Sequence, residues 1–298
     1  MANPEIAVIL NPAAAGGKAL KALARVHGVL KRLDRPYAIH VTKARGDAID
    51  AALRFADEGA ERIVAVGGDG TVHEVANGIH RSGASPALGI VPIGTGRDFA
   101  RTVGTEKNVE LAVLKAMDAV PRPIDLGLVT YADGSERAFI NIAGLGFDAI
   151  VARKAESSRL PGTNLPYLAS ALSTLAGFKN IDIRVESDDE AIETRAVFVQ
   201  IANAQYMGGG FHFAPMAMID DGLLDVCIVG NFSKVELIRH IPKVYGGKHT
   251  TLTKFRHFTA TRVNISSTGI ARLQLDGELL GETPVTFSVI PGGIRLAG

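Results

Sequence analysis

The sequence predicts a chain of two folded parts: an N-terminal α/β domain on a parallel sheet, then a mainly antiparallel β domain. Three observations lead there. Strand, glycine-rich turn and helix recur in that order across residues 1–122. Such repeats indicate parallel strands with helices on both faces of the sheet. Beyond Pro121-Arg122-Pro123 the helical period gives way to apolar/polar alternation, the mark of half-buried strands. The length, 298 residues, is generous for one domain and suits two. The predicted domains are 1–122 and 123–298, with the last strand a candidate to return to the first domain.

Each element follows from its pattern. Ile6 to Leu10 is a short β-rich run stopped by Asn11-Pro12 and a small, glycine-rich turn. Leu20, Leu23, Val26, Val29, Leu30 and Leu33 recur at spacings of three and four, which predicts a helix. A strand at Tyr37 to Thr42 and a helix at Asp47 to Glu58 follow. Next come a strand at Arg62 to Val66, the turn Gly67-Gly68-Asp69-Gly70-Thr71, a helix from Val72 to about His80, and a strand at Leu88 to Val91. In the second part, strands are predicted at Phe139 to Ile142 and Ala196 to Ile201. Others are marked by the alternations Val263/Ile265, Leu273/Leu275 and Val285/Phe287/Val289. Two helices interrupt, around Tyr167 to Phe178 and Lys234 to Tyr245, and Ser187 to Glu190 reads as an acidic hairpin tip.

Composition narrows the function. A hydrophobic fraction of 47% and a charged fraction of 21% are those of an ordinary globular protein, so disorder is excluded. A formal net charge of +1 provides no global field for nucleic acid. The single cysteine, Cys227, lies in the apolar run Leu223 to Val229 and reads as a buried hydrophobe; it allows neither an internal disulfide nor a cysteine zinc site. Glu5 interrupts the N-terminal apolar run, there is no basic leader, and no apolar stretch is long enough to span a bilayer. Together these suit a protein of a reducing compartment.

The strongest chemical signal is Gly67 to Thr71, between a buried strand and a helix. Its glycines permit close backbone approach, and helix N-terminal amides attract phosphate. A carboxylate repels phosphate, so Asp69 is expected to meet Mg²⁺ or a hydroxyl of the ligand. A second turn, Pro92 to Arg101, contains Gly94-Thr95-Gly96 and Asp98, and the first turn runs from Asn11 to Lys18. Taken alone, each is as readily a capped turn. All lie at the C-terminal ends of strands, the edge where open α/β sheets bind ligands, and Thr42 reaches the same edge. Their convergence points to a nucleotide.

With these motifs the chain resembles the soluble diacylglycerol kinase and sphingosine kinase family of lipid kinases. The matching segments are Asn11-Pro12 with its turn, Gly67 to Thr71 with Glu74, Gly94 to Arg101, Asp220 to Asp225, and Asp276-Gly277-Glu278. The resemblance implies an α/β nucleotide domain of NAD kinase-like type, a β-sandwich domain, and an active site in the cleft between them. The implied reaction moves the γ-phosphoryl group of ATP to a lipid hydroxyl, diacylglycerol or a related lipid alcohol. It also implies a cytoplasmic protein, peripheral to the membrane, that meets its lipid at the bilayer surface. A homodimer is compatible with the sequence but not fixed by it.

Carried over, Asn11, Thr42, Gly67, Gly68, Asp69, Gly70, Thr71, Val72, His73 and Thr95 resemble the ATP contacts. Asp69 and Asp98 match acidic positions near the phosphates and magnesium. Glu74 is read as a helix-face partner of the phosphate site. Met218, Asp221 and Leu223 resemble a structural magnesium loop, with Gly222 turning the chain. Read by itself, Asp276-Gly277 is a hairpin turn; the resemblance makes Glu278 the proton acceptor and Asp276 its assistant, although sequence does not decide which takes the proton. Two departures stand out: Arg97 where many members have Asn, and Ala14-Ala15 where relatives often carry Ser-Gly.

Three other readings share part of this pattern. A NAD kinase shares Gly-Gly-Asp-Gly but does not call for the turn ending in Asp98-Phe99-Ala100-Arg101. A non-catalytic lipid- or nucleotide-binding relative sits poorly with the filled acidic positions. A dehydrogenase would use Gly144 to Ala149, but no acidic residue follows at the required distance, so that segment reads as a structural turn.

Overall fold

Four parallel strands open the computed structural model, which describes residues 4–33, 35–94, 96–147, 149 and 177–298. They are β1 (Ile6–Leu10), β2 (Tyr37–Val41), β3 (Arg62–Gly67) and β4 (Ala87–Pro92), ordered β2-β1-β3-β4. Every residue of β1 is buried, as expected for a strand covered on both faces by helices. The helices are α1 (Ala14–Arg32), α2 (Asp47–Asp57), α3 (Asp69–Ser82), α4 (Asp98–Thr102) and α5 (Val109–Asp118). One face of the sheet packs Ile6, Val8 and Leu10 against Val26, Val29 and Leu30 of α1 and Val113 and Met117 of α5. The last strand, β18 (Val285–Ala297), ends beside β4 in parallel, Leu296 opposite Leu88.

These elements form one compact unit, Met1–Ile124 with Gly292–Gly298; Asp125–Pro291 forms the other. In the second unit an antiparallel sheet runs in the order β14 (Phe255–Ala260), β13 (Leu224–Val229), β10 (Phe198–Ala202), β7 (Ile142–Gly146), β16 (Arg272–Leu275), β17 (Glu278–Glu282). A second layer holds β9 (Ala191–Ala196), β8 (Ile181–Ser187), β15 (Arg262–Ser267) and the start of β18, all antiparallel. It also holds β5 (Arg122–Tyr131) paired with β6 (Glu136–Phe139). The layers share one core. Leu145, Val199, Val226, Leu273 and Leu275 of the first meet Val129, Phe139, Val185, Val263, Ile265 and Phe287 of the second. Such a two-layer antiparallel stack is a β-sandwich. Outside it lie the small hairpin β11 (Tyr206–Met207) with β12 (Phe211–His212) and helix α6 (Lys234–Tyr245).

Several boundaries differ from the sequence reading. Phe139 to Ile142 is not one strand: the chain leaves β6 at Phe139 and enters β7, in the other sheet, at Ile142. Gly144 and Gly146, expected in a turn, lie in β7, paired with β10 and β16. Apolar runs fix burial without fixing which sheet a strand joins, so a switch between sheets leaves no compositional trace. The run Ala196 to Ile201 divides at Val197 between β9 and β10. Helix α3 begins at Asp69, three residues before Val72, because Gly68 keeps the extended conformation of an N-cap. The helix expected around Tyr167 to Phe178 lies, up to residue 176, outside the described residues.

Candidate active site

The first turn bends through left-handed backbone at Ala15, Gly16 and Gly17 (φ 51°, 67° and 90°), so two of three such positions are glycine. Asn11 organises it. The side-chain oxygen of Asn11 accepts from the Ala13 amide (3.0 Å) and its NH₂ group donates to Thr71 Oγ1 (3.2 Å), tying the end of β1 to the first turn of α3. The buried Thr42 continues the edge, its amide donating to Leu10 O.

The turns after β3 and β4 meet backbone to backbone. The Ile93 amide donates to Gly67 O at 2.7 Å, and a Cβ on Gly94 would sit 2.8 Å from Gly68 Cα. A Cβ on Gly67 would fall 2.3 Å from Thr71 Oγ1. Asp69 Oδ1 accepts from the Phe99 amide (3.2 Å), fixing α4 against α3, and Asp98, itself buried, accepts from Arg101 Nη1 (3.0 Å). Arg97 stands before α4 in left-handed conformation, φ 52°. That conformation is one that Asn adopts more readily than Arg. The amides of Asp69 and Gly70 lie in the first turn of α3, where helix N-H groups attract anions, while those of Thr71 and Val72 donate to Gly68 O (3.0 and 3.2 Å). His73 turns away: its side chain is buried within the unit beside Asn77. Thr95 lies outside the described residues.

Glu74 does not face a phosphate site. Its two carboxylate oxygens accept from the Gly46 and Ala48 amides (3.0 and 3.2 Å), capping α2, whose own N-cap is a glycine. A carboxylate at a helix N-terminus satisfies orphan amides and the helix dipole together.

In the second unit, Asp276 and Gly277 form the two-residue link between β16 and β17, both with positive φ (50° and 92°), and Leu275 faces Glu278. A tight hairpin demands such torsions. The Asp276 carboxylate reaches the crossing from β6 to β7 and accepts from the amides of Ile140 (2.9 Å), Asn141 (2.9 Å) and Ile142 (3.0 Å). Ile140 and Asn141 lie between the two ladders and Ile142 is the first residue of β7, so a carboxylate supplies the partner that the crossing needs. Asn203 completes the crossing by donating to Ile140 O and Asp125 O. Glu278 opens β17 and is buried. Tyr131 braces that strand, its hydroxyl donating to Leu280 O at 2.6 Å; burial pushes the phenol up to about 12, so it keeps its proton throughout the neutral range.

The loop before β13 has its own anchor. The Gly222 amide donates to Asp125 Oδ2 (2.7 Å), the Asp125 amide to Ile219 O (2.6 Å), and the Leu223 amide to Asp221 Oδ1 (3.1 Å). Met218 is exposed. Burial, with the Asp225 and Asp125 charges nearby, holds the Asp221 carboxyl above the usual carboxylate range. Among the described residues no three His, Cys, Asp or Glu side chains converge as a metal centre. Asp125 and Asn203 were not found from sequence: each acts on backbone far along the chain, and neither sits in a motif.

Two family descriptions divide the chain. "Diacylglycerol kinase catalytic domain" matches residues 5–129, and "YegS C-terminal NAD kinase beta sandwich-like domain" matches residues 141–298. The chain belongs to the diacylglycerol kinase catalytic-domain family. It is thus an ATP-dependent lipid kinase, a phosphotransferase acting on an alcohol. A "Diacylglycerol kinase" of Mycobacterium tuberculosis (strain CDC 1551 / Oshkosh) is 30% identical over 98% of this chain and 94% of its own length. A Pseudomonas aeruginosa (strain UCBPP-PA14) protein named "Probable lipid kinase YegS-like" is 29% identical over 99% and 95%. A solved diacylglycerol kinase structure from Bacillus anthracis str. Sterne matches this lipid kinase with a TM-score of 0.75 at 25% identity, covering 98% of this chain and 96% of that one. The α/β unit with its parallel sheet and the β-sandwich unit are therefore those of the family.

Proposed function

We propose that this lipid kinase phosphorylates the free hydroxyl of diacylglycerol, using magnesium-bound ATP. The carrying observation is the joined set of turns at one sheet edge: Asn11 to Thr71, Phe99 to Asp69, and Gly94 against Gly68. Phosphoryl transfer asks a protein mainly for positioning and charge neutralisation, and such a set provides backbone amides in fixed directions. In this reading Asn11, Thr42, Gly67 to Val72 and Thr95 receive the nucleotide, His73 supporting them from the core, with Asp69 and Asp98 toward its magnesium. Magnesium supplies charge neutralisation on the phosphates. Glu278 accepts the hydroxyl proton of the lipid, and Asp276 holds the backbone beside it. The substrate rests on the full-length relatives named diacylglycerol kinase.

A second magnesium belongs to the loop before β13. Asp221 and the carbonyls of Met218 and Leu223 offer the oxygens such an ion prefers, water filling the remainder.

The test is labelled ATP with diacylglycerol in detergent micelles. Wild type should give labelled phosphatidic acid, with no transfer to NAD. Glu278→Gln should lower turnover by about 100-fold or more, in the range of general-base losses, and Asp69→Asn should weaken use of magnesium-ATP. A folded Glu278→Gln enzyme with wild-type turnover would remove Glu278 from the role.

A further inference from the structure

Helix α6 has the burial pattern of a helix with an unfinished interface. None of its residues is buried, although Leu237 and Val244 pack partly on the apolar cluster around Phe213 and Phe232. At roughly 100° per residue, the exposed apolar side chains fall on one stripe. Val235 (77% exposed), Ile238 (50%), Pro242 and Tyr245 (44%) share an arc of about 80° on that spacing. Cations border it: Lys234 on one side and Arg239 on the other, with Lys243 about 40° further round beyond Arg239 and the exposed Lys248 just beyond the helix end. The helix has one acidic residue, Glu236, on the opposite arc; it closes the capping box with Ser233 and pairs with Lys254 at 2.7 Å. The outward face is thus an apolar stripe with positive borders and no negative charge.

We propose that this face of α6 is the surface by which the kinase docks on an anionic bilayer, with Val235, Ile238, Pro242 and Tyr245 entering the headgroup region and Arg239 and Lys243 contacting lipid phosphates. The inference rests on the reading that the substrate is a membrane lipid. Charge complementarity selects the occupant: an apolar stripe between Lys and Arg rows matches the boundary of acyl chains and anionic headgroups. Long basic side chains can follow the stripe inward while keeping their charges at the phosphates. At 12 residues the helix is far too short to span a bilayer, so it lies in the surface plane. Its N-terminus is fixed by the capping box, and Tyr245 packs against Phe211 with ring centroids 4.3 Å apart and planes tilted by 35°, so the stripe is presented on a held helix.

The experiment compares sedimentation with two kinds of vesicle: phosphatidylcholine alone, and phosphatidylcholine with about one-third phosphatidylglycerol. Wild type should bind the anionic vesicles preferentially. Ile238→Glu should lower that binding by about tenfold or more, because it places a charge in the apolar stripe. Arg239→Ala with Lys243→Ala should lower it by about 25-fold, fivefold per lost charge. Each substituted position is exposed, so folding should hold, and phosphorylation of diacylglycerol in detergent micelles should stay at the wild-type rate. Vesicle binding unchanged in both variants would overturn the proposal. So would a shift from dimer to monomer in Ile238→Glu without loss of vesicle binding, since the face would then join two copies of the chain. Loss of vesicle binding in the variants, combined with wild-type enzyme that labels no diacylglycerol in micelles, would support the surface and remove only the substrate reading.

Discussion

The two units hold their polar networks in different ways. In the α/β unit, each tie joins the turn or helix after one strand to the turn or helix after another: Asn11 at the end of β1 to Thr71 in α3, Asp69 at the start of α3 to Phe99 in α4, and Glu74 within α3 to Gly46 before α2. The strand-turn-helix design repeats, and each tie joins two occurrences of it. In the sandwich unit, Asp276 reaches back more than 130 residues to Ile140, Asn141 and Ile142, and Asp125 reaches forward to Gly222. Those ties hold backbone where a strand changes sheet or a loop turns. The first unit therefore presents its polar groups at a sheet edge, and the second consumes several of its carboxylates to stay folded.

The sharpest test of that contrast is Asp276→Ala. It leaves three buried amides without their carboxylate, and hydrogen bonds to a charged group are worth about 1.5–3 kcal/mol each. The expected loss is about 4 kcal/mol or more in urea unfolding, with Asp276→Asn between it and wild type. An Asp276→Ala protein of native stability but greatly reduced turnover would reverse the assignment, making Asp276 a chemical rather than a positioning residue.

This division also explains what was legible in the sequence. The parallel unit could be read from β1 to β4 with α1 to α3, because each turn announces the end of a strand and the start of a helix within a few residues; the helices α4 and α5 after the last of those turns were not read. The alternating strands of the sandwich and the span of α6 were legible for the same reason: periodicity is local. What escaped were decisions made across distance. Nothing near Phe139 tells that the chain changes sheets there, because the compensation lies at Asp276 and Asn203. Glu74 looked like a phosphate partner because it follows the glycine turn on α3; its true partner, the bare N-terminus of α2, becomes visible only when the helices pack. Asp276-Gly277 carried both readings at once, and the hairpin torsions are what aim the Asp276 carboxylate at the crossing.

A second test uses pH to mark the sandwich unit. His249 is buried between Phe213 and Phe255, with ring centroids 5.0 Å away on each side, and its Nε2 lies 2.9 Å from Phe213 O. Burial lowers it to about 4 from an ordinary value of 6.5, the Phe213 hydrogen bond opposing weakly. The unfolded chain therefore takes up the proton first as pH falls. Stability from this group is complete above about pH 6.5 and drains as pH drops toward 4, by about 3 kcal/mol at most. His249→Phe should flatten that part of the stability-pH curve, and hydrogen exchange should place the lost slope in strands of the sandwich. A wild-type curve already flat between pH 4 and 6.5 would show that the ring is protonated in the fold.

The smallest effect is expected at Glu74. Helix α2 starts at Gly46, which has φ 87° and no side chain, so its first amides depend on the Glu74 carboxylate from α3. Removing a helix N-terminal acceptor costs about 1–2 kcal/mol, and Glu74→Ala should show that loss in thermal unfolding. Gly46→Ser should not rescue it, because a side chain is strained at that positive φ and cannot act as the cap. The KM for ATP should change little, since the carboxylate serves packing between helices rather than the phosphates. A tenfold rise in that KM at unchanged stability would mean that Glu74 leaves α2 for the nucleotide, and the α/β unit would then spend its carboxylates on the ligand.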